Sequence, residues 1–264
     1  MSYSIFETMI TIGFRSGDIL REYFENHNYS ISQKTSSFDL VTTADKESQK
    51  IIVSTLSSLH PGIAIIGEEG AKIEKHTKVF YVDPLDGTLN FVHKIPFFAV
   101  SIGYWEDGKA LIGVVFDPIR KDLFYAKKGE GAFLNGKRIK VSSPKSLGNA
   151  LLVTGWPYNK DKHHKAVEDV KSVLNFTEVR ILGSATLELC YIASGILDGY
   201  WEYSLSPWDL AAGVLIAKEA GAIISTPSGE EFDLFKGDIL AIAPSLYQEF
   251  IELIKKGNSQ NKTF

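Results

Sequence analysis

The chain has 264 residues, 44% hydrophobic and 23% charged, the balance of an ordinary soluble globular protein, which excludes a disordered or fibrous chain. A formal net charge of -4 provides no concentrated basic surface, so binding to polymeric nucleic acid is not expected. A single cysteine, Cys190, excludes an intramolecular disulfide and a thiolate-rich metal site, and fits a reducing cytoplasm.

In chain order, Ile5, Met9, Ile12, Ile19, Leu20 and Tyr23 recur near helical spacing, with Arg15, Asp18, Arg21 and Glu22 on the other side, which predicts an amphipathic helix. Glu7, Arg15 and Asp18 inside that pattern exclude a signal-peptide core or a membrane span. A second helix is expected from near Asp45 through Ile51, Ile52 and Leu56 to the breaker His60-Pro61-Gly62. Residues 63–66 and 79–82 are short β-branched or aromatic runs that stop at acids or turns, and read as strands. Runs 97–105, 110–116 and 123–126, separated by Glu106-Asp107-Gly108-Lys109 and Asp117-Pro118, predict an antiparallel meander.

Asn135-Gly136-Lys137 marks a further turn, and the polar stretch 142–146 is the expected junction between a first part, 1–143, and a second, 144–264. Beyond it, 151–154 and 179–182 read as strands, 185–194 and 209–220 as helices, and Pro244 precedes a terminal helix containing Leu246, Phe250 and Leu253. Alternation of this kind favours an α/β second half.

The most informative string is Asp83-Pro84-Leu85-Asp86-Gly87-Thr88, in which an apolar strand delivers two carboxylates into one tight turn. Two partly buried anions this close lose hydration and repel each other, so they call for protons, a basic partner or bound cations, and the string holds no Lys or Arg. Hard oxygen ligands without thiolates suit Mg2+ or Mn2+, and the Leu85 carbonyl is a further donor. If Gly87 and Thr88 open a helical turn, their amides face an anionic phosphate. Asp, Pro and Gly are also the residues of a plain strand-ending turn.

Gly67-Glu68-Glu69-Gly70 places acids after a neighbouring strand, where Glu68 reads as a ligand and Glu69 as exposed loop. Asp45 and Asp209 each stand at the start of a helix, where simple capping competes with a role at a cation. The six histidines lack metal-ligand spacing and receive no site, and Cys190 reads as a small buried apolar residue.

In combination these strings resemble the inositol monophosphatase family, in which D-P-[IL]-D-G-T is accompanied upstream by G-E-E and D-L-V-T-x-x-D and downstream by W-D-x-x-A-G. All four occur here in order, at 83–88, 67–69, 39–45 and 208–213. Gly129-Glu130-Gly131-Ala132-Phe133 and Gly183-Ser184-Ala185 look like the same family, and the likeness runs from about residue 34 to about residue 221. It implies a layered αβαβα sandwich, with a mainly antiparallel sheet in the first half and a mixed sheet in the second.

The resemblance further implies Mg2+-dependent hydrolysis of a small phosphorylated polyol or sugar, inositol monophosphate first and fructose 1,6-bisphosphate second. Glu68, Asp83 and the Leu85 carbonyl are then ligands of one ion and Asp83, Asp86 and Asp209 of another, with a third ion near Glu68 and Mn2+ as a substitute. Catalytic roles fall to Asp45, Glu68 and Thr88, with Thr88 orienting the attacking water. Substrate contacts fall to Asp86, Gly87, Thr88, Ser184, Ala185, Glu202 and Asp209. A cytoplasmic, lithium-sensitive homodimer is implied as well. Because some bacterial members serve as transcription-complex partners, a binding role is the alternative of another class. Thr186 and Glu188 depart from the small and amide or Asp residues more usual at their positions, which leaves substrate choice open.

Overall fold

The computed structural model describes residues 4–33, 40–68, 76–157 and 159–260. Asp39 and Glu69, at the edges of two of the motifs, lie outside the described residues. Helix α1 (Ile5–Asn26) starts at a capping box in which the Glu7 amide donates to Ser4 Oγ and the Ser4 amide to the Glu7 carboxylate, satisfying two otherwise orphaned donors. A short hairpin, β1 (Ile31–Gln33) with β2 (Leu40–Thr42), leads into α2 (Thr43–Leu59).

The first sheet then forms from β3 (Ala64–Gly67), β4 (Lys78–Asp86), β5 (Ala99–Glu106), β6 (Lys109–Asp117), β7 (Asp122–Lys127), β8 (Gly131–Leu134) and β9 (Lys137–Ile139), with the short helix α3 (Thr88–Val92) inserted after β4. Its strands lie in chain order, the β3–β4 pair parallel and the rest antiparallel, so the expected meander is present and extends by two strands.

The second part contains β10 (Leu151–Thr154), α4 (His163–Leu174), β11 (Glu178–Arg180), α5 (Ala185–Ala193), β12 (Gly199–Glu202), α6 (Pro207–Glu219), β13 (Ile223–Ser225), β14 (Ile239–Ile242) and α7 (Tyr247–Gln260). Its sheet runs β11-β10-β12-β14-β13, parallel across the first three strands and antiparallel beyond.

Apolar faces stack these elements into the five expected layers. Met9, Ile12 and Leu20 of α1 and Ile52 and Leu56 of α2 pack on Phe80, Val100, Ile102 and Val114 of the first sheet. The opposite face of that sheet meets α5 and α6 through Leu189, Leu210 and Val214, which also reach Val153, Tyr200 and Ala241 of the second sheet. Val173 of α4 and Phe250 of α7 cover the outer face of the second sheet on Leu152, Trp201 and Ile242. No helix among the described residues is long and apolar enough to cross a membrane.

Three local expectations need correction. The strand expected over 179–182 is β11, Glu178–Arg180, and the Leu182 amide donates to Glu188 at 2.9 Å rather than to a neighbouring strand. The helix expected from Asp209 begins at Pro207, whose missing amide suits the first helical position. Asp83 to Asp86 is not a strand-ending turn: β4 continues to Asp86 through a bulge, in which Asp83 faces Ser101 and Asp86 faces Ala99. Three steps along β4 thus match two along β5, and Pro84, which has no N–H, occupies the break in the ladder.

Candidate active site

The bulge lifts Asp83, Leu85 and Asp86 out of strict alternation at the carboxyl end of β4. Asp83 Oδ1 accepts from the Leu85 amide at 2.9 Å, and Ser48 of α2 donates to the Pro84 carbonyl at 2.7 Å. Gly87, with φ +95°, turns the chain into α3, and a side chain there would come within 3.0 Å of the Phe97 carbonyl oxygen. Only glycine meets both demands.

Asp45 caps α2 and also reaches Thr88. Its Oδ2 accepts from the Thr42 amide at 2.7 Å and from the Thr42 hydroxyl, capping α2, while its Oδ1 accepts from Thr88 Oγ1 at 3.1 Å. Thr88 Oγ1 also lies 3.0 Å from the Leu85 carbonyl, so one hydroxyl joins α2, β4 and α3.

From the second part of the chain, Ser184 Oγ donates to Asp86 Oδ2 at 2.5 Å and the Thr186 amide donates to the same oxygen at 2.8 Å. Thr186 Oγ1 in turn donates to the Asp209 carbonyl at 3.0 Å, placing Asp86 and the start of α6 on either side of one residue. Asp209 Oδ2 accepts from the Ser206 amide at 2.8 Å. Glu68 follows β3 directly, and its amide donates to the Val82 carbonyl at 3.2 Å, so it stands beside the residue preceding Asp83.

Among the described residues no three His, Cys, Asp or Glu side chains are gathered into a ready-made metal cluster, yet the four acids act on one another. Burial first, then the charges of Glu68, Asp86 and Asp209, push the Asp83 carboxyl well above the usual range. Burial also raises Asp86, opposed by hydrogen bonds from Ser184 and Thr186. Asp209 is raised well up by desolvation and then by Asp86 and Glu68. None of the leading influences on these three aspartates is a Lys or Arg side chain. A hard-oxygen donor set whose carboxylates repel one another fits a divalent cation such as Mg2+.

Glu202, at the end of β12, is buried and accepts from the Tyr200 hydroxyl at 2.6 Å. Burial pushes its carboxyl up to about 7, with Asp86 adding to the rise and Tyr200 opposing it. Its carboxylate lies directly over Gly155, where an added Cβ would sit 1.8 Å from Oε2. Gly155, Asn90 and Tyr200 receive no role from the sequence, and Thr186 enters there only as a departure that leaves substrate choice open. Asn90 and Thr186 stand close in sequence to motif residues, whereas Gly155 carries no local signal.

A model of the inositol monophosphatase family matches residues 3–259. Nus factor SuhB of Vibrio cholerae is 40% identical over 250 residues, covering 93% of this chain and 94% of that one. Inositol-1-monophosphatase of Mesorhizobium japonicum is 34% identical over 258 residues, covering 96% and 97%. Among solved structures, the extragenic suppressor protein suhB of Bartonella henselae superimposes with a TM-score of 0.89 at 37% identity, covering 95% of this chain and 98% of that one.

Proposed function

The chain belongs to the inositol monophosphatase family, and on that footing we propose that it is a Mg2+-dependent phosphatase acting on a small phosphorylated polyol, inositol monophosphate before fructose 1,6-bisphosphate. The observation that carries this reading is the group Glu68, Asp83, Asp86 and Asp209, two of them buried and two half-buried, whose charges repel one another beside the Gly87–Thr88 start of α3. The Leu85 carbonyl would join these carboxylates as an uncharged oxygen donor, and the set would hold two or three Mg2+ ions, or Mn2+ in their place. Bound there, the ions offset phosphate charge and make water more acidic.

The rest is done by the chain. The amides of Gly87 and Thr88 face the phosphate at the helix start. Thr88 directs its own proton toward Asp45 Oδ1, which leaves its oxygen lone pairs to accept a hydrogen bond from the attacking water and so to orient it. Asp45, fixed through its other oxygen by the α2 cap, cannot swing away. Glu68 helps to place the same water. On the leaving-group side, Ser184, Ala185 and Glu202 read substrate hydroxyls, a role in which a buried carboxyl rejects substrates that leave it unpaired.

The same reading carries a homodimer, inhibition by lithium and residence in the cytoplasm. Phosphate release from inositol, sugar and nucleotide phosphates, with and without Mg2+, tests it; no release from any of them rejects it. The name of the Vibrio cholerae relative favours a second reading, a binding role in a transcription complex. Co-purification of transcription factors with an inactive Asp83→Asn variant tests that role separately.

A further inference from the structure

Glu188 lies in the first turn of α5, buried, and its Oε1 accepts from two consecutive amides, Leu182 at 2.9 Å and Gly183 at 3.2 Å. The carbonyls of the same two residues face the other way. Asn90 Nδ2, on α3 two residues beyond Thr88, donates to the Leu182 carbonyl at 2.7 Å and lies 3.3 Å from that of Gly183, while also reaching the Phe97 carbonyl at 2.9 Å. Segment 182–183 is therefore gripped on its donor side by one half of the chain and on its acceptor side by the other. The next residues are Ser184 and Thr186, which hold Asp86.

We infer that Glu188 and Asn90 are positioning residues that clamp segment 182–183 and thereby set the substrate edge, Ser184, Ala185 and Thr186, at its working distance from Asp86. Neither residue touches the proposed reacting atoms. The clamp crosses the two parts of the chain at the point where the site is assembled from both, so a small slip there separates the substrate edge from the carboxylates. Its acceptor is a carboxyl that burial, and then the charge of Glu202, push well up. The grip accordingly depends on an oxygen in place rather than on a negative charge.

The test compares two full-length variants that both remove the charge. Glu188→Gln keeps an acceptor oxygen at the same reach, whereas Glu188→Met keeps the length and the packing but has no acceptor. Both are expected to fold, since Gln and Met keep the length and near volume of Glu, with E188M the less stable because two amides lose their acceptor. For inositol 1-phosphate, E188M is expected to lose about 10- to 100-fold in kcat/KM, the usual cost of removing a support behind a site residue, mostly as raised KM. E188Q is expected to stay within about threefold of wild type, the rescue that a general packing role would not give.

Amide exchange at Leu182 and Gly183 should accelerate in E188M and not in E188Q. Equal kinetics and equal exchange in the two variants overturn the clamp. The inference rests on the phosphatase reading only for its kinetic arm. If wild type neither turns over a phosphate ester nor binds inorganic phosphate with Mg2+ by calorimetry, that reading fails, and the exchange comparison still decides the clamp.

Discussion

Asp209→Asn isolates charge from architecture. Asp209 Oδ2 accepts from the Ser206 amide at 2.8 Å, and an asparagine oxygen can accept the same bond, so α6 keeps its cap. What disappears is one of the negative charges that push Asp83 up. Metal-free D209N should therefore melt at or above the wild-type temperature, because it loses a like charge that repels Asp83 and Asp86. A cation bound only by the folded chain adds RT ln(1 + [L]/Kd), about 2.7 kcal/mol at a hundredfold excess over Kd. At roughly 2–4 °C per kcal/mol for a chain of this size, Mg2+ should raise the wild-type Tm by roughly 5–11 °C.

If the lost ligand weakens the site a hundredfold, the same Mg2+ concentration leaves about 0.4 kcal/mol, or roughly 1–2 °C. Calorimetric melting of chelator-treated protein, titrated with MgCl2 against KCl of matched ionic strength, measures both quantities. An undiminished shift in D209N refutes the assignment of Asp209. A shift that KCl reproduces refutes the cation site itself, because it reports only screening. The sign with pH follows from the raised carboxyls. Folded Asp83, Asp86 and Asp209 bind protons more tightly than their unfolded counterparts. Metal-free stability therefore declines as pH climbs from the ordinary carboxylate range through the raised values, while the Mg2+ gain grows over the same window.

Thr88→Ala should lower kcat by about 10²- to 10⁴-fold, the range for a positioned proton-transfer partner, with the Mg2+ melting shift retained; unchanged turnover at saturating Mg2+ removes Thr88 from the mechanism. Glu202 titrates near 7 when folded against 4.5 for the free group, so its contribution is fully present below the unfolded value and falls by about 3 kcal/mol as pH rises through that window. Glu202→Gln should flatten that segment of the stability curve, and an unaltered pH profile in chemical denaturation contradicts the shift. Gly155→Ala places a methyl 1.8 Å from Glu202 Oε2, so the carboxylate must turn away. KM should rise for polyol phosphates with the Mg2+ shift intact, and identical selectivity across a substrate panel would place substrate recognition elsewhere.

Much of the candidate site was legible in one dimension because its residues are local. Asp83, Leu85, Asp86, Gly87 and Thr88 are neighbours in one string that reads as a turn or as a carboxylate pair in need of compensation, and the helix starts at Asp45 and Asp209 carry ordinary capping signals. Periodicity similarly exposed α1, α2 and the meander, where long apolar runs leave one reading. It failed for β12, β13 and β14, runs of three or four residues too short to show a period, and for α4, whose apolar positions Ala166, Val170 and Val173 sit in a mostly polar stretch.

The sequence by itself determined which atoms are available: hard oxygens, no thiolates, and a glycine where a left-handed turn is needed. Only the tertiary structure decided how they are used. That Asp45 caps α2 with one oxygen and holds Thr88 with the other, that Thr186 ties Asp86 to Asp209, and that Glu202 rests on the bare backbone of Gly155 are contacts that, the local cap aside, join residues 23 to 100 positions apart. No local pattern encodes such pairs, because they arise where separate elements are pressed together by the burial of apolar faces that carry no memory of the polar groups brought along with them.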